Sequence, residues 1–530
     1  MTLDTDNLSK SYDELPYESL PFALSHPAHL AAIARLFGLQ SPPLRDCRVL
    51  ELGCAAGGNL IPLAEAFPDS QFVGVDLSAR QIDDGLAQIK ALGLENIELK
   101  AMSLTEIDDR YGSFDYIIAH GLYSWVPEVV RDAIMALCRN HLTDQGIAYV
   151  SYNTYPGWHI NGMVREMMQF HASRFDDPKL KLQQSRSLME FMAGSLPEDQ
   201  PFGRMLRDQL QMLRKTKDHY LFHEYLESDN QPLYFHEFML KAMEHGLQYL
   251  GDGEFGTMFS GNFMPQVAAT LERIAPDQIS REQYMDFLRN RTFRQTLLVH
   301  QEQTISRTLN PHNILELYVA SAAKPVSAKP DIRSSKVEKY QIDGNPVLLT
   351  IDQPIYKSAM QVLAEAWPKP LGFVDLCTEA RARIQPVGSE PEPQQLAQDQ
   401  LLLGTEIQRS YTAGLFEISA EPAHFVTTLS ERPIASWLAR QQATSGVVVT
   451  TRRHMSLQLD ELSRQLLILL DGSRDRAALI TDWLAVAVQL GLSIEQGGKK
   501  VTDPATIKKI MQDSQERILL YMASSALLVG

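Results

Sequence analysis

The chain has 530 residues and a formal charge of -16, from 49 Lys plus Arg against 65 Asp plus Glu. That length exceeds the ~250–300 residues of one ordinary core, so several domains are expected. Apolar residues at 44%, charged residues at 22% and a mean hydropathy of -0.19 exclude a disordered chain, and no apolar run approaches the ~18 residues of a membrane span.

The start, MTLDTDNLSKSYDELPYESL, is acidic and lacks the basic and apolar regions of a secretory signal. Residues 1–45 read as an N-terminal segment whose YDELPY stretch, Tyr12 to Tyr17, folds over a site as a lid. From 46 to 155 short apolar runs alternate with helical patterns. The expected strands are 48–52 (RVLEL), 71–75 (QFVGV), 97–100 (IELK), 114–119 (FDYIIA) and 147–152 (IAYVSY), each apolar enough for burial on both faces. Helices are expected over 59–67 and 78–92, the second capped by Ser78 and stopped by Gly93. Such alternation predicts an α/β, Rossmann-like parallel sheet with right-handed crossovers.

After Pro156 and Gly157 the pattern turns rich in Met, Gln and Leu at helical spacing, so 156–232 reads as a helical insertion. A helix at 234–245 and strands at 247–250 and 292–300 then complete the sheet, within 233–320. The first domain is therefore discontinuous. Two stretches rich in Pro and polar residues, 322–335 and 385–400, read as linkers that form neither a core strand nor a long helix. They delimit a smaller middle domain, 336–384, and a C-terminal domain, 401–530. In the latter, 457–470 and 477–490 make a helix–turn–helix, winged-helix-like pattern.

Four cysteines (Cys47, Cys54, Cys138 and Cys377) include no C-x-x-C pair, which argues against a zinc ribbon and for a reducing compartment, the cytoplasm. The negative charge argues against a nucleic-acid partner, because phosphate binding needs a basic footprint. The basic stretch 451–454 (TRRH) is too short to be one, so the helix–turn–helix reads as a docking module in preference to a DNA reader. His223–Glu224 and His236–Glu237 make no H-E-x-x-H, and no metal is expected. Neither G-x-S-x-G nor a P-loop occurs.

The sharpest local signal is VLELGCAAGGNL, 49–60: strand, acid, glycine loop, helix. Small residues let a ligand meet the loop backbone, and the following helix offers free N–H groups. A dinucleotide fingerprint is not met, since Ala55 holds the second glycine position. What is met is E-x-G-x-(A/G)-x-G, with Glu51 two positions before Gly53. A carboxylate there repels a pyrophosphate but balances an ammonium and a sulfonium. The next strand ends at Asp76, placed to take two ribose hydroxyls. The two acids favour S-adenosylmethionine over a dinucleotide, and over a turn whose glycines merely allow tight packing. Its expected seat is Glu51, Gly53, Cys54, Ala55, Gly57, Asn59, Asp76 and Leu77.

With these residues the stretch resembles class I S-adenosylmethionine-dependent methyltransferases. In that family the loop after the third strand contacts adenine; here it holds Ser103, in place of the usual acid, and Leu104. The fourth strand ends in HGLYSWV (120–126) and the fifth in SYNTYPGWH (151–159). With YDELPY, YLFHEYLE (220–227) and 234–238, these stretches resemble bacterial methyltransferases carrying a methyltransferase regulatory domain. The rickettsial protein lysine methyltransferases that modify an outer membrane protein are the best-characterised of these. The resemblance spans most of the chain, most strongly from Tyr12 to about His300. It implies S-adenosyl-L-methionine as cofactor, a lysine side chain of a protein as acceptor, and a homodimer. Tyr123 and Trp125, with Tyr12, Tyr17 and Tyr155, are expected to line the methyl-transfer chamber. His120 and Gly121 are expected against the donor, with proton acceptance the other role open to His120. Aromatic faces suit such chemistry, stabilising cationic groups by ~0.5–2 kcal/mol each and desolvating the amine. Two rival functions fit the same residues: a small-molecule N- or O-methyltransferase, against which the appended domains speak, and a non-catalytic S-adenosylmethionine-binding regulator, which Ala55 and Ser103 favour.

Overall fold

The structure, a computed structural model, describes residues 18–530 apart from 228, 387–388, 390–391, 491–494, 497–498 and 502. The YDELPY stretch, with Tyr12 and Tyr17, lies outside the described residues.

The first long helix, α1 (Pro27–Leu36), carries HLAAIARL and buries Leu30, Ala31, Ala32, Ile33, Ala34 and Leu36 completely. A helix apolar on nearly every side has to be interior, so this part of the expected lid segment is a core element instead. Seven strands follow in one sheet: β1 (Arg48–Leu52), β2 (Gln71–Asp76), β3 (Ile97–Ala101), β4 (Phe114–Ala119), β5 (Leu142–Asn153), β6 (Leu247–Asp252) and β7 (Phe293–His300). Their order is β3-β2-β1-β4-β5-β7-β6. The first five pair in parallel, and β7 runs antiparallel to both β5 and β6. Chain order reverses between β1 and β4, which opens a crevice at the carboxyl ends of those strands.

Local signals explain the connections. Helix α2 (Ile61–Ala66) follows the glycine loop. Helix α3 (Ala79–Leu92) is capped by the Ser78 hydroxyl, which accepts from Gln81 N–H at 3.2 Å, and it ends at Gly93 with φ 63°. Helix α4 (Glu128–His141) leads into β5. Between β5 and β6 lie four inserted helices, α5 (Trp158–Ala172), α6 (Pro178–Ser195), α7 (Pro201–Lys215) and α8 (Asp218–Leu226). They share a small core of their own around Val164, Met168, Met189 and Leu206. Helix α9 (Phe235–Glu244) then supplies the crossover into β6.

The returning pair β6 and β7 is pinned by buried charge. Arg294, on β7, donates to Asp286 at 2.7 and 3.0 Å and to Glu282 at 3.0 Å, with its guanidinium 3.7 Å from the Phe235 ring centroid. Arg291 donates to Asp252 at 2.9 Å. All five charged groups are buried.

The expected linkers do not behave as linkers. Lys324–Pro325 is an edge strand paired with Tyr340 and Gln341, a place where proline's missing N–H costs nothing. Pro393–Thr412 is a 20-residue helix that begins inside the second stretch, with Pro393 in its first turn, where proline is tolerated. Arg381 and Asp399 lock it to the preceding helix, and Leu403 and Ile407 are wholly buried. Residues of this middle region share one apolar core with the seven-stranded sheet. The C-terminal region packs separately around Leu466, Leu479, Trp483 and Leu519. Its helices are Trp437–Ser445, Glu461–Leu469, Arg476–Gln489 and Pro504–Ser524, with a hairpin of Val448–Thr450 against Ser456–Gln458. The helix expected from 457 starts at Glu461, because the Asp460 carboxylate caps it there and accepts from Ser463 N–H at 2.9 Å. No helix among the described residues is long and apolar enough to cross a membrane.

Candidate donor-binding site

The glycine loop leaves β1 at the reversal point. Gly53, Ala55 and Gly57 have φ of 74°, 49° and 74°, so the turn runs through left-handed backbone. Its N–H groups are tied back to the sheet: Gly53 and Cys54 donate to Val75 carbonyl at 2.9 and 3.1 Å. Asp76, at the tip of β2, accepts from Ala55 N–H at 2.8 Å and from Ser78 N–H at 2.9 Å. It thus straps the loop to the next strand. Leu77 beside it is exposed.

Glu51 is 3% exposed. Its Oε1 accepts from Asn59 Nδ2 at 2.9 Å, while Oε2 is buried with no hydrogen-bond partner among the described residues. Burial pushes this carboxyl up to about 8, against the opposing Asn59 bond and with help from nearby Asp76. An orphaned carboxylate oxygen beside a glycine loop fits an ammonium group. Cys54 is buried and its thiol is raised by burial, so it is packing here and not a nucleophile.

Ser103 follows β3 and caps a short turn, with its N–H donating to Glu106 at 3.0 Å; Leu104 is buried beside it. At the tip of β4, Gly121 N–H donates to Ser151 Oγ at 2.8 Å. His120 Nδ1 lies 2.9 Å from Tyr149 Oη, which donates onward to Gln295 at 2.9 Å. Burial lowers His120 to about 4, so it is neutral.

Tyr123 and Trp125, expected to face a chamber, are packed inward. Tyr123 is 0% exposed, edge-on to Phe238 and beside Tyr152, and Trp125 meets Trp158 edge-on. Large apolar rings at a strand tip are drawn into whatever core the following helices supply, and α5 and α9 supply one here. Tyr155 is half-buried and stacks on His159 at 4.1 Å.

Three contributors were not legible in the sequence. Ser19 Oγ accepts from Gly58 N–H at 2.7 Å, and Phe22 N–H donates to Asn59 Oδ1 at 3.0 Å. The Phe22 ring covers His120 at 3.7 Å between centroids. A short segment before α1 therefore bridges the tips of β1 and β4. Gly58 has to be glycine for this reason: a Cβ there would lie 2.2 Å from the Ser19 carbonyl oxygen. The third is His454, whose contact with Asn59 at 2.6 Å arrives from 395 residues away.

Three family models match the chain: a methyltransferase domain at residues 50–148, a predicted methyltransferase regulatory domain at 217–300, and the PKMT C-terminal winged helix domain at 431–527. With this sheet order and this glycine loop, the chain belongs to the class I S-adenosylmethionine-dependent methyltransferases that carry a regulatory domain, and S-adenosylmethionine is its cofactor. Within them it is similar over nearly its whole length to PKMT2 from Rickettsia typhi, at 33% identity across 97% of this chain and 100% of that one, with a TM-score of 0.86. The same protein in complex with AdoHcy aligns with a TM-score of 0.87. An uncharacterised protein of Rickettsia prowazekii, RP789, is 36% identical over 98% of this chain and 93% of its own length. A second from that organism, RP028, is 42% identical over 45% of this chain and 96% of its own length.

Proposed function

We propose that this protein transfers the methyl group of S-adenosylmethionine to lysine side chains of a protein acceptor. The end-to-end likeness to PKMT2, winged-helix domain included, carries the reading. In it the donor lies across Gly53 to Asn59, with its ammonium on Glu51 and its ribose hydroxyls on Asp76. Leu77, Ser103 and Leu104 border the adenine, while His120 and Gly121 close the side toward β4. When bound, the donor supplies an electrophilic methyl group for in-line displacement by a neutral amine. The chain's own contribution is to orient that group and exclude water. The Phe22 ring over His120 offers an aromatic wall at the reacting end. A histidine held at about 4 is a poor base near neutrality, so His120 serves as a hydrogen-bond partner and not as a proton acceptor. Tyr123 and Trp125 act from behind, fixing the loop after β4 that forms the acceptor side. The inserted helices and distal regions select the acceptor, and the protein works as a cytoplasmic homodimer.

Incubation with methyl-labelled donor and a cell lysate tests the reading. Label recovered as methyl-lysine in protein supports it. Label only in small molecules identifies a small-molecule methyltransferase, and retained donor binding without transfer identifies a regulator.

A further inference from the structure

The TRRH stretch, too short for a nucleic-acid patch, forms the tip of the hairpin in the C-terminal domain and reaches into the first domain. Arg452 pairs with Glu65 at 2.8 Å. Glu65 also accepts from Trp437 N–H at 2.8 Å, at the start of helix Trp437–Ser445. Arg453 pairs with Glu417 at 2.5 Å and lies 4.6 Å over the Trp367 ring. These contacts dock the domain. His454 does more: it is 3% exposed, and its Nε2 lies 2.6 Å from Asn59 Oδ1.

The bonding around Asn59 fixes what each atom does. A backbone N–H can only donate, so the Asn59 atom that meets Phe22 N–H is the oxygen. The amide nitrogen then faces Glu51 Oε1 at 2.9 Å and Ser25 Oγ at 3.1 Å. His454 meets the oxygen, so its Nε2 carries the proton. Both lone pairs and both hydrogens of the amide are in use. Its orientation toward Glu51 is held jointly by the segment before α1 and by the winged-helix domain.

We propose that His454 is a positioning residue for the donor seat: through Asn59 it aims the Glu51 carboxylate, so the docked winged-helix domain sets the affinity for S-adenosylmethionine. This rests on the placement of the donor ammonium at Glu51. The bond from His454 is a neutral one at a buried site, and its loss frees the amide to turn away. The expected weakening of donor binding is roughly three- to tenfold.

Calorimetric titration of the full-length protein with S-adenosylhomocysteine tests this. His454→Ala should weaken binding by that factor with cooperative thermal unfolding retained. His454→Gln, whose amide N–H can reach the same oxygen, should restore it. In an Asn59→Ala background, His454→Ala should cost nothing further. Wild-type affinity in His454→Ala, failure of the glutamine to rescue, or an equal loss in the Asn59→Ala background would each overturn the proposal, the last by showing that docking alone matters. Should His454→Ala not fold, the single Asn59→Ala variant still decides it: it removes the same relay and should weaken binding at least as much, and unchanged affinity there would overturn the proposal. Glu51→Gln is run alongside. Undiminished affinity there above pH 8, where the wild-type carboxyl is ionised, would sink the donor seat itself, a result distinct from failure of the His454 relay.

Discussion

Replacing Glu51 with glutamine should abolish the pH dependence of donor binding. In the free protein the carboxyl sits at about 8, raised by burial, so below that pH it holds a proton. Seating an ammonium requires the carboxylate, and the proton must leave. At pH 7 the ionisation costs about 1.4 kcal/mol, and the cost vanishes above pH 8. A charge-assisted hydrogen bond is worth roughly 1.5–3 kcal/mol. Wild-type affinity for S-adenosylhomocysteine should therefore climb about tenfold per pH unit from pH 6 to pH 8 and then level off. Close to one proton should be released per donor bound at pH 7. Calorimetry in buffers of differing ionisation enthalpy reads both quantities. Glu51→Gln should bind weakly with a flat profile and no proton release. The deficit should be small near pH 6.5 and roughly 10- to 150-fold above pH 8. A variant whose affinity changes in parallel with the wild type across this range would show that Glu51 does not face the donor.

Gly58→Ala would drive a methyl group into the Ser19 carbonyl, displacing the segment before α1; donor affinity should fall severalfold while the melting temperature changes little, and unaltered affinity would show that the segment is not part of the seat. Arg294→Leu leaves Glu282 buried without its cation and Asp286 with only Arg291 at 3.8 Å, and should destabilise by about 3–5 kcal/mol in chemical denaturation; an unchanged midpoint would refute the role of that network. His26 and His120 are lowered to about 3 and about 4 by burial, so the unfolded chain binds more protons between those values and ~6.5. These two histidines should accordingly add stability as pH rises to ~6.5, by as much as about 1.4 kcal/mol per unit each, against the opposite trend from Glu51 and Glu224, raised by burial to about 8 and about 7; urea midpoints at pH 5 and pH 7 check it by difference, since His120→Gln should gain less over that interval than the wild type.

The sheet was the most legible part of the chain because its strands are short apolar runs with clear punctuation. Ser78 and Gly93 bracket α3 through side-chain and backbone preferences that act locally. The donor acids were visible for the same reason, since a strand tip followed by glycine has a fixed place in this topology. What escaped notice depends on partners distant in sequence. Pro393 looked like a breaker, but a proline in the first turn is compatible with the helix that follows. LQLD at 457–460 carries the alternation of a hairpin strand, yet the run of leucines after it imitates one continuous helix. Tyr123 and Trp125 lie in the loop where a chamber was expected, but their exposure was decided by α5 and α9, whose packing no local pattern encodes. Phe22 and Ser19 carry no signal at all, and TRRH, too short for a charge patch, is used instead as a set of single contacts.

The interrupted sheet has a consequence for biosynthesis. Ala148 on β5 finds its neighbour Leu298 only 150 residues later, after the inserted helices have passed. Until β7 emerges from the ribosome, the nascent chain carries a bare apolar strand with an unpaired row of amides, the kind of edge that recruits other chains. The inserted helices, with their own small core, can collapse early and hold the two halves of the pairing near each other. Synthesis slowed between those helices and β7 would thus be expected to raise aggregation more than the same pause placed after residue 300.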